Sequence, residues 1–134
     1  WAGLTLYWIA PWLIAQDNIE APPWLLCVLV LTYALGVFFH FASDMQKHIS
    51  LSLRKGLITE GLWARSRNPN YFGELLIYGG FSGLAMHWAP LTALAFFVAA
   101  VWIPNMVKKD RSLSRYPEFA AYKARSGWMF PKFW

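Results

Sequence analysis

Apolar residues fall in four runs separated by short polar breaks. The first, residues 1–15, contains Leu4-Thr5-Leu6-Tyr7-Trp8-Ile9-Ala10 and Pro11-Trp12-Leu13-Ile14. At 1.5 Å per residue it covers roughly 22 Å, short of a hydrocarbon core of roughly 30 Å, so it reads as the second half of a spanning helix. Residues 16–23 form an acidic turn. Residues 24–42 are long enough to span with little tilt. Two further runs, 71–88 and 91–107, are joined at Trp88-Ala89-Pro90, a connection short enough to make an antiparallel helical hairpin. The expected architecture is all-α: one polytopic integral membrane bundle over 1–134 with about four spanning segments.

Between these runs the periodicity changes. From Ser43 to Lys55, Met45, Ile49 and Leu53 repeat at i, i+4 and i+8, while Asp44, Lys47 and His48 take another face. This predicts an amphipathic helix outside the core, with Arg54 and Lys55 in its last turn and Gly56 closing it. Leu57 to Trp63 reads as a connector turning at Gly61. A second surface helix is predicted over 117–125, started by Pro117 and capped near Arg125 by Gly127. The ending Trp128-Met129-Phe130-Pro131-Lys132-Phe133-Trp134 carries interfacial aromatics and is expected to lie back against the membrane surface. Gly79 and Gly83 form a small-x-x-x-small pair that would let another helix approach closely.

Charge supports the membrane reading. Of 134 residues 57% are hydrophobic and only 14% charged, against roughly 25% charged in soluble domains. All twelve Lys and Arg lie in Lys47–Arg67 and Lys108–Lys132. Because these blocks flank apolar runs, orientation by the positive-inside rule explains them better than nucleic-acid binding. The basic loops 43–70 and 108–134 are therefore expected on one side, cytoplasmic or matrix-like, with the acidic turn opposite. Cys27 stands alone, and three His without metal spacing argue against zinc. The chain opens inside an apolar segment with no basic flank, so it reads as a piece of a longer protein rather than as a signal peptide.

The chemistry concentrates in Arg65-Ser66-Arg67-Asn68-Pro69-Asn70-Tyr71-Phe72-Gly73-Glu74, where a basic loop meets an apolar run. Asn68 suits an N-cap and Pro69 the first helical position. Asn70 and Glu74 then share one face, with Tyr71 and Tyr78 beside them. An ionised carboxylate one turn into an apolar helix is costly, although a Glu near a helix start also favours the positive end of the dipole.

This decapeptide, with Gly61-Leu62-Trp63 before it and the hydrophobic hairpin after it, resembles the steroid 5α-reductase-like membrane family, especially its bacterial and organellar branch. Asn68 stands where that branch usually has His. The resemblance covers roughly residues 36–134, which would be the C-terminal part of that fold. It implies a cavity for NADPH at one membrane face, built from the basic loops and the tail. Asn70 and Glu74 would hold the nicotinamide end beside Tyr71. Ser43-Asp44 and Leu53-Arg54-Lys55 resemble two further family elements, and Arg67, Tyr116, Tyr122 and Arg125 would complete the set. The acid and tyrosine that polarise a substrate carbonyl come from earlier helices in those reductases, so no catalytic residue is assigned and no metal is expected.

Each position has a plainer role open to it. Arg54, Lys55, Lys108 and Lys109 also suit headgroup-facing orientation charges, Asp44 a partner for one of them, and His40 and His87 interfacial histidines. Three functions follow. One is NADPH-dependent reduction of a carbon–carbon double bond in a lipid or sterol-like substrate. Another is methyl transfer from S-adenosylmethionine, as in isoprenylcysteine carboxyl and phospholipid methyltransferases; Glu74 after Gly73 and the Lys108-Lys109 pair weigh against it. The third is a non-catalytic helical subunit, without cofactor, packed against other membrane protein subunits.

Overall fold

The structure, a computed structural model, describes residues 7–134. Part of the first expected span, residues 1–6, lies outside that range. The elements are α1 (Ile9–Asp17), α2 (Pro23–Leu53), a 3₁₀ turn (Gly61–Ala64), α3 (Pro69–Gly83), α4 (Trp88–Phe97), a π-helical turn (Val98–Trp102), α5 (Ile103–Leu113) and α6 (Phe119–Arg125). No strand occurs among the described residues. A single parallel bridge joins Ser66 to Gly127.

Among the described residues two helices are long and apolar enough to cross a membrane: α2, and the continuous Trp88–Leu113 formed by α4, the π turn and α5. Pro104 explains the π turn between them. Its ring has no N–H to donate and crowds the carbonyl four residues back, so the preceding turn widens. Helix α3, with 15 residues, covers roughly 22 Å.

Several boundaries differ from expectation. The amphipathic segment 43–55 is not a separate surface helix but the end of α2, which at 31 residues runs roughly 46 Å. No Gly or Pro interrupts it near Ser43, and the Ser43 hydroxyl donates back to the His40 carbonyl at 3.1 Å, as a helical serine can. Arg54 is extended, so Arg54 and Lys55 lie beyond the helix rather than in its last turn. The α3–α4 turn sits at 84–87, with Met86 at φ 44°, and the 71–88 run therefore ends early. Pro90 lies in the first turn of α4 instead of breaking the chain there, because that turn needs no donor from it, and the His87 ring accepts from the Ala89 N–H at 3.1 Å. Helix α6 begins at Phe119, two residues after Pro117. Gly127 follows an extended Ser126 and makes no left-handed cap; a side chain there would run into the Phe130 carbonyl.

Helices α2 and α3 share the most extensive packing. Gly36 and Gly73 face each other across it, and Gly80 meets the Leu29 carbonyl. Gly79 of the expected glycine pair touches nothing, while Gly83 meets only the Leu29 side chain. The close approach is made instead one face over, at Gly73 and Gly80. The outward side of α2, including Leu31, Leu35, Phe38 and Phe41, stays exposed, as a lipid-facing surface does.

Candidate functional site

The loop before α3 is held by the C-terminal tail. Arg67 N–H donates to the Gly127 carbonyl at 2.9 Å, and the N–H groups of Gly127 and Lys132 both donate to the Arg65 carbonyl at 2.9 Å. The Ser66 hydroxyl donates to the Met129 carbonyl at 2.7 Å. Asn68 does not cap α3 with its side chain. Its Nδ2 donates to the Trp128 carbonyl at 2.8 Å, and its Oδ1 accepts from Lys109 Nζ at 2.9 Å. Pro69 does occupy the first helical turn.

Arg67 is the centre of this clamp, 6% exposed. Its guanidinium pairs with Asp110 at 3.2 Å and donates from Nη1 to the Ser126 carbonyl at 2.9 Å. Tyr122, 2% exposed, donates its hydroxyl to the Trp63 carbonyl at 2.6 Å, with the Ser66 carbonyl at 3.2 Å. The Trp63 indole N–H in turn donates to the Ser43 carbonyl at 3.1 Å, tying the cluster to α2. Gln46 fixes the 3₁₀ turn to the same helix, donating to the Glu60 carbonyl and accepting from the Leu62 N–H.

Burial pushes the Tyr122 phenol up to about 12, with Arg67 and Arg125 opposing and Asp110 adding. The folded value lies above the unfolded value of 10.0, so the Tyr122 contribution is complete below pH 10 and is lost as pH rises through about 12. Tyr122→Phe is expected to lower stability by about 1–2 kcal/mol, since two buried carbonyls lose their donor. It should also flatten the fall in stability between pH 10 and 12. Thermal unfolding in detergent across that range checks both; an unchanged alkaline profile would contradict this role.

Beside the clamp lies a cleft of about 450 Å³, within the range of ligand pockets. Lys47 and Leu51 line it from α2, Lys55 to Ile58 from the linker, and Trp63 from the 3₁₀ turn; Lys109 and Arg115 face it with Tyr116 and Tyr122. It contains no carboxylate. Lys47, Lys55, Lys109 and Arg115 belong to no ion pair among the described residues. Lys109 is positioned by the Arg67 carbonyl at 2.7 Å and lies 4.3 Å from the centre of the Trp63 ring. Arg115 lies over Tyr116, 5.0 Å from its centre. A second cleft of about 410 Å³ shares the linker and Tyr116 and adds Arg54 and Glu118. Such a surface suits an anion with an aromatic or apolar part.

The residues expected at a cofactor site are thus divided. Arg67, Tyr116 and Tyr122 line the cleft, but Arg67 and Tyr122 already spend their polar groups on the clamp. Arg54 is exposed and ion-paired with Glu60. Arg125 is exposed, 6.0 Å from the Tyr122 ring centre. Tyr71 packs on Trp102 at 5.4 Å, away from the cleft. Asn70 and Glu74 form a separate group with His40, whose Nδ1 lies 3.5 Å from Glu74 Oε1. The buried Asn70 Oδ1 and His40 Nδ1 have no hydrogen-bond partner. Exposed Asp44 lies one turn beyond His40. His40 was missed as part of this group, and so were Lys47 and Arg115 as cleft cations. The signal was spacing: His40, Asp44, Lys47 and Leu51 repeat at i, i+4, i+7 and i+11 on one face of α2.

A family model described as a protein of unknown function (DUF1295) matches residues 4–126, nearly the whole chain. The chain belongs to the DUF1295 family. No curated protein and no solved structure matches it. The DUF1295 match spans the clamp up to Ser126, both sides of the basic cleft and the Asn70–Glu74 helix start. It leaves the end of the tail, Gly127 to Trp134, outside.

Proposed function

We propose that this DUF1295 chain is the cofactor-binding part of a membrane reductase that uses NADPH to reduce a carbon–carbon double bond in a lipid or sterol-like substrate. The observation that carries this reading is the basic cleft at the polar end of α2. It holds three cations in no ion pair among the described residues (Lys47, Lys55 and Arg115), a Lys109 already bonded to the Arg67 carbonyl and Asn68 Oδ1, three aromatic rings and no acid. The residues fit a dinucleotide. Lys47, Lys55 and Arg115 would neutralise its phosphates, and Trp63 and Tyr116 offer faces for a ring. From the cleft, the α2 face carrying Lys47 and Asp44 leads back to His40 and Glu74. There the orphaned Asn70 Oδ1 and His40 Nδ1 are available to a carboxamide. When bound, the dinucleotide supplies a hydride. The chain's own contribution is to hold the phosphates at the polar end and to orient the other end between apolar helices that exclude water. The likeness of Asn70-Tyr71-Phe72-Gly73-Glu74 and its flanks to steroid 5α-reductases supports the same direction.

The test is equilibrium binding of NADPH and of S-adenosylmethionine to the full-length protein in lipid nanodiscs. NADPH is expected to bind, more weakly as salt rises because its phosphates meet cations. Binding of S-adenosylmethionine in its place would favour the methyltransferase reading. Binding of neither would leave the helical-subunit reading, which the exposed apolar face of α2 favours.

The same reading gives α1 and α3 membrane depth as well, making four segments with both basic loops on one side. In a Cys27→Ser background, single cysteines at Ser52 and Ser112 should label from one side and a cysteine at Asn18 from the other. Labelling of Asn18 and Ser52 from the same side would contradict it.

A further inference from the structure

On the other side of Arg67 from the basic cleft lies a cleft of about 510 Å³ that the nucleotide reading does not use. It is lined by Val107, Asp110, Arg111, Phe119, Lys123 and Trp128, with Arg67 as the shared wall. Its depth is set by the sequence. Val107 ends the apolar run of the spanning-length helix Trp88–Leu113, and Lys108 begins its polar end. A site opening there stands at the level of lipid headgroups.

Its charges are available. The Asp110 carboxylate is taken by Arg67, whereas Arg111 and Lys123 belong to no ion pair among the described residues. Trp128 lines the opening beside them; its indole N–H is itself buried and has no acceptor. Two cations at one opening suit a phosphoryl oxygen.

Trp128 also lines a second, apolar groove of about 330 Å³, formed with Val98, Ile103, Met106, Met129 and Phe130. Ile103 lies about one turn, and Val98 about two and a half turns, deeper along the spanning-length helix than Val107. A polar opening at headgroup depth therefore adjoins an apolar channel running toward the hydrocarbon. A free phosphate would use only the first, and a zwitterionic lipid would bring its own cation to Arg111 and Lys123. We infer that the Arg111–Lys123–Trp128 cleft and the adjoining groove bind one anionic phospholipid of the surrounding leaflet, its phosphate on the two cations and an acyl chain in the groove. The inference does not depend on which cofactor the basic cleft takes.

The experiment is native mass spectrometry of the full-length protein released from nanodiscs of phosphatidylcholine containing phosphatidylglycerol. The wild-type protein is expected to retain one phosphatidylglycerol in preference to phosphatidylcholine. Arg111→Ala/Lys123→Ala, two exposed positions whose loss leaves the clamp intact, should reduce that preference about 25-fold, roughly fivefold for each cation. Lys55→Ala/Arg115→Ala, which touches neither this cleft nor its groove, should leave it unchanged. Equal loss in both double variants would reduce the effect to general surface charge and overturn the proposal, as would unchanged retention in the first. Saturating NADPH should leave the lipid bound; its displacement would assign the cleft to the dinucleotide and equally overturn the proposal. Release of the lipid by inorganic phosphate would overturn the choice of a lipid over a free anion.

Discussion

Replacing Arg67 with alanine is expected to destabilise the protein by about 3–5 kcal/mol, the cost of leaving a charge without its partner in a buried pair. Arg67 is the hub at which three sequence-distant pieces meet. Its side chain pairs with Asp110 of α5 and donates to the Ser126 carbonyl just after α6. Its own carbonyl accepts from Lys109, and its N–H donates to Gly127. Truncation leaves the Asp110 carboxylate and the Ser126 carbonyl unpaired together. The tail should then detach, and trypsin should cut after Lys123 and Arg125 faster than in the wild type. Asp110→Ala should also destabilise, and the Arg67→Ala/Asp110→Ala pair should cost less than the sum, because the second change removes the stranded charge. Thermal unfolding and timed proteolysis in detergent read both effects. An Arg67→Ala protein within about 0.5 kcal/mol of wild type, with its tail still protected, would contradict the clamp.

The next largest effect is expected at Gly73. A Cβ built there would run into the His40 backbone nitrogen and lie 2.7 Å from the Gly36 carbonyl oxygen. Both obstacles are backbone, so neither can swing aside as a side-chain tip would. Gly36 meets the same difficulty from the opposite side, against the Gly73 carbonyl oxygen and Ile77 nitrogen at 2.7 Å each. Gly73→Leu should therefore force α2 and α3 apart, at a cost of about 3 kcal/mol or more. It should also separate Glu74 from His40 and weaken any ligand held between them. Gly79→Ala is the control. Nothing lies within 4 Å of that position, and alanine should raise stability by about 0.5–1 kcal/mol through the helix backbone alone. Equal stability of the two variants would contradict the close packing of α2 on α3.

Much of the fold was legible because membrane helices announce themselves by run length. The 24–42 and 91–107 runs both lie within spanning-length helices. What failed was reading a change of composition as a change of structure. At Ser43 the residues turn polar, yet the backbone meets no Gly or Pro, so α2 continues unbroken through the polar stretch to Leu53. Pro90 misled in the reverse sense: it looked like a turn residue but sits in the first helical turn. The two glycine contacts were misplaced by one face because a glycine motif states that an approach is possible, not which helix makes it.

The site was legible in part for a similar reason. The basic windows were plain, and the Asn70–Glu74 face is helical as the spacing implied. The division of labour among the cations was hidden. Arg67 and Tyr122 look like ligands for an anion in the sequence, but their partners are the Asp110 carboxylate and backbone carbonyls, 43 to 59 residues away. No local periodicity encodes such a pairing. Asn68 is similar, a good capping residue drawn instead to Lys109 and Trp128. Lys47 and Arg115, by contrast, were overlooked for the opposite reason: neither has a carboxylate partner among the described residues, so only the assembled cleft shows what they face.

The reductase reading is tested most directly by the dissociation constant of NADPH in three forms of the nanodisc-embedded protein. These are the wild type, Lys47→Ala/Arg115→Ala and Arg111→Ala/Lys123→Ala. The first pair lines the basic cleft and the second does not. Loss of two charge-assisted contacts should weaken binding roughly a hundredfold in the first variant, and the second should bind as the wild type does. Equal affinity in all three, or weakening confined to Arg111→Ala/Lys123→Ala, would show that the cleft beside the clamp does not hold the nucleotide.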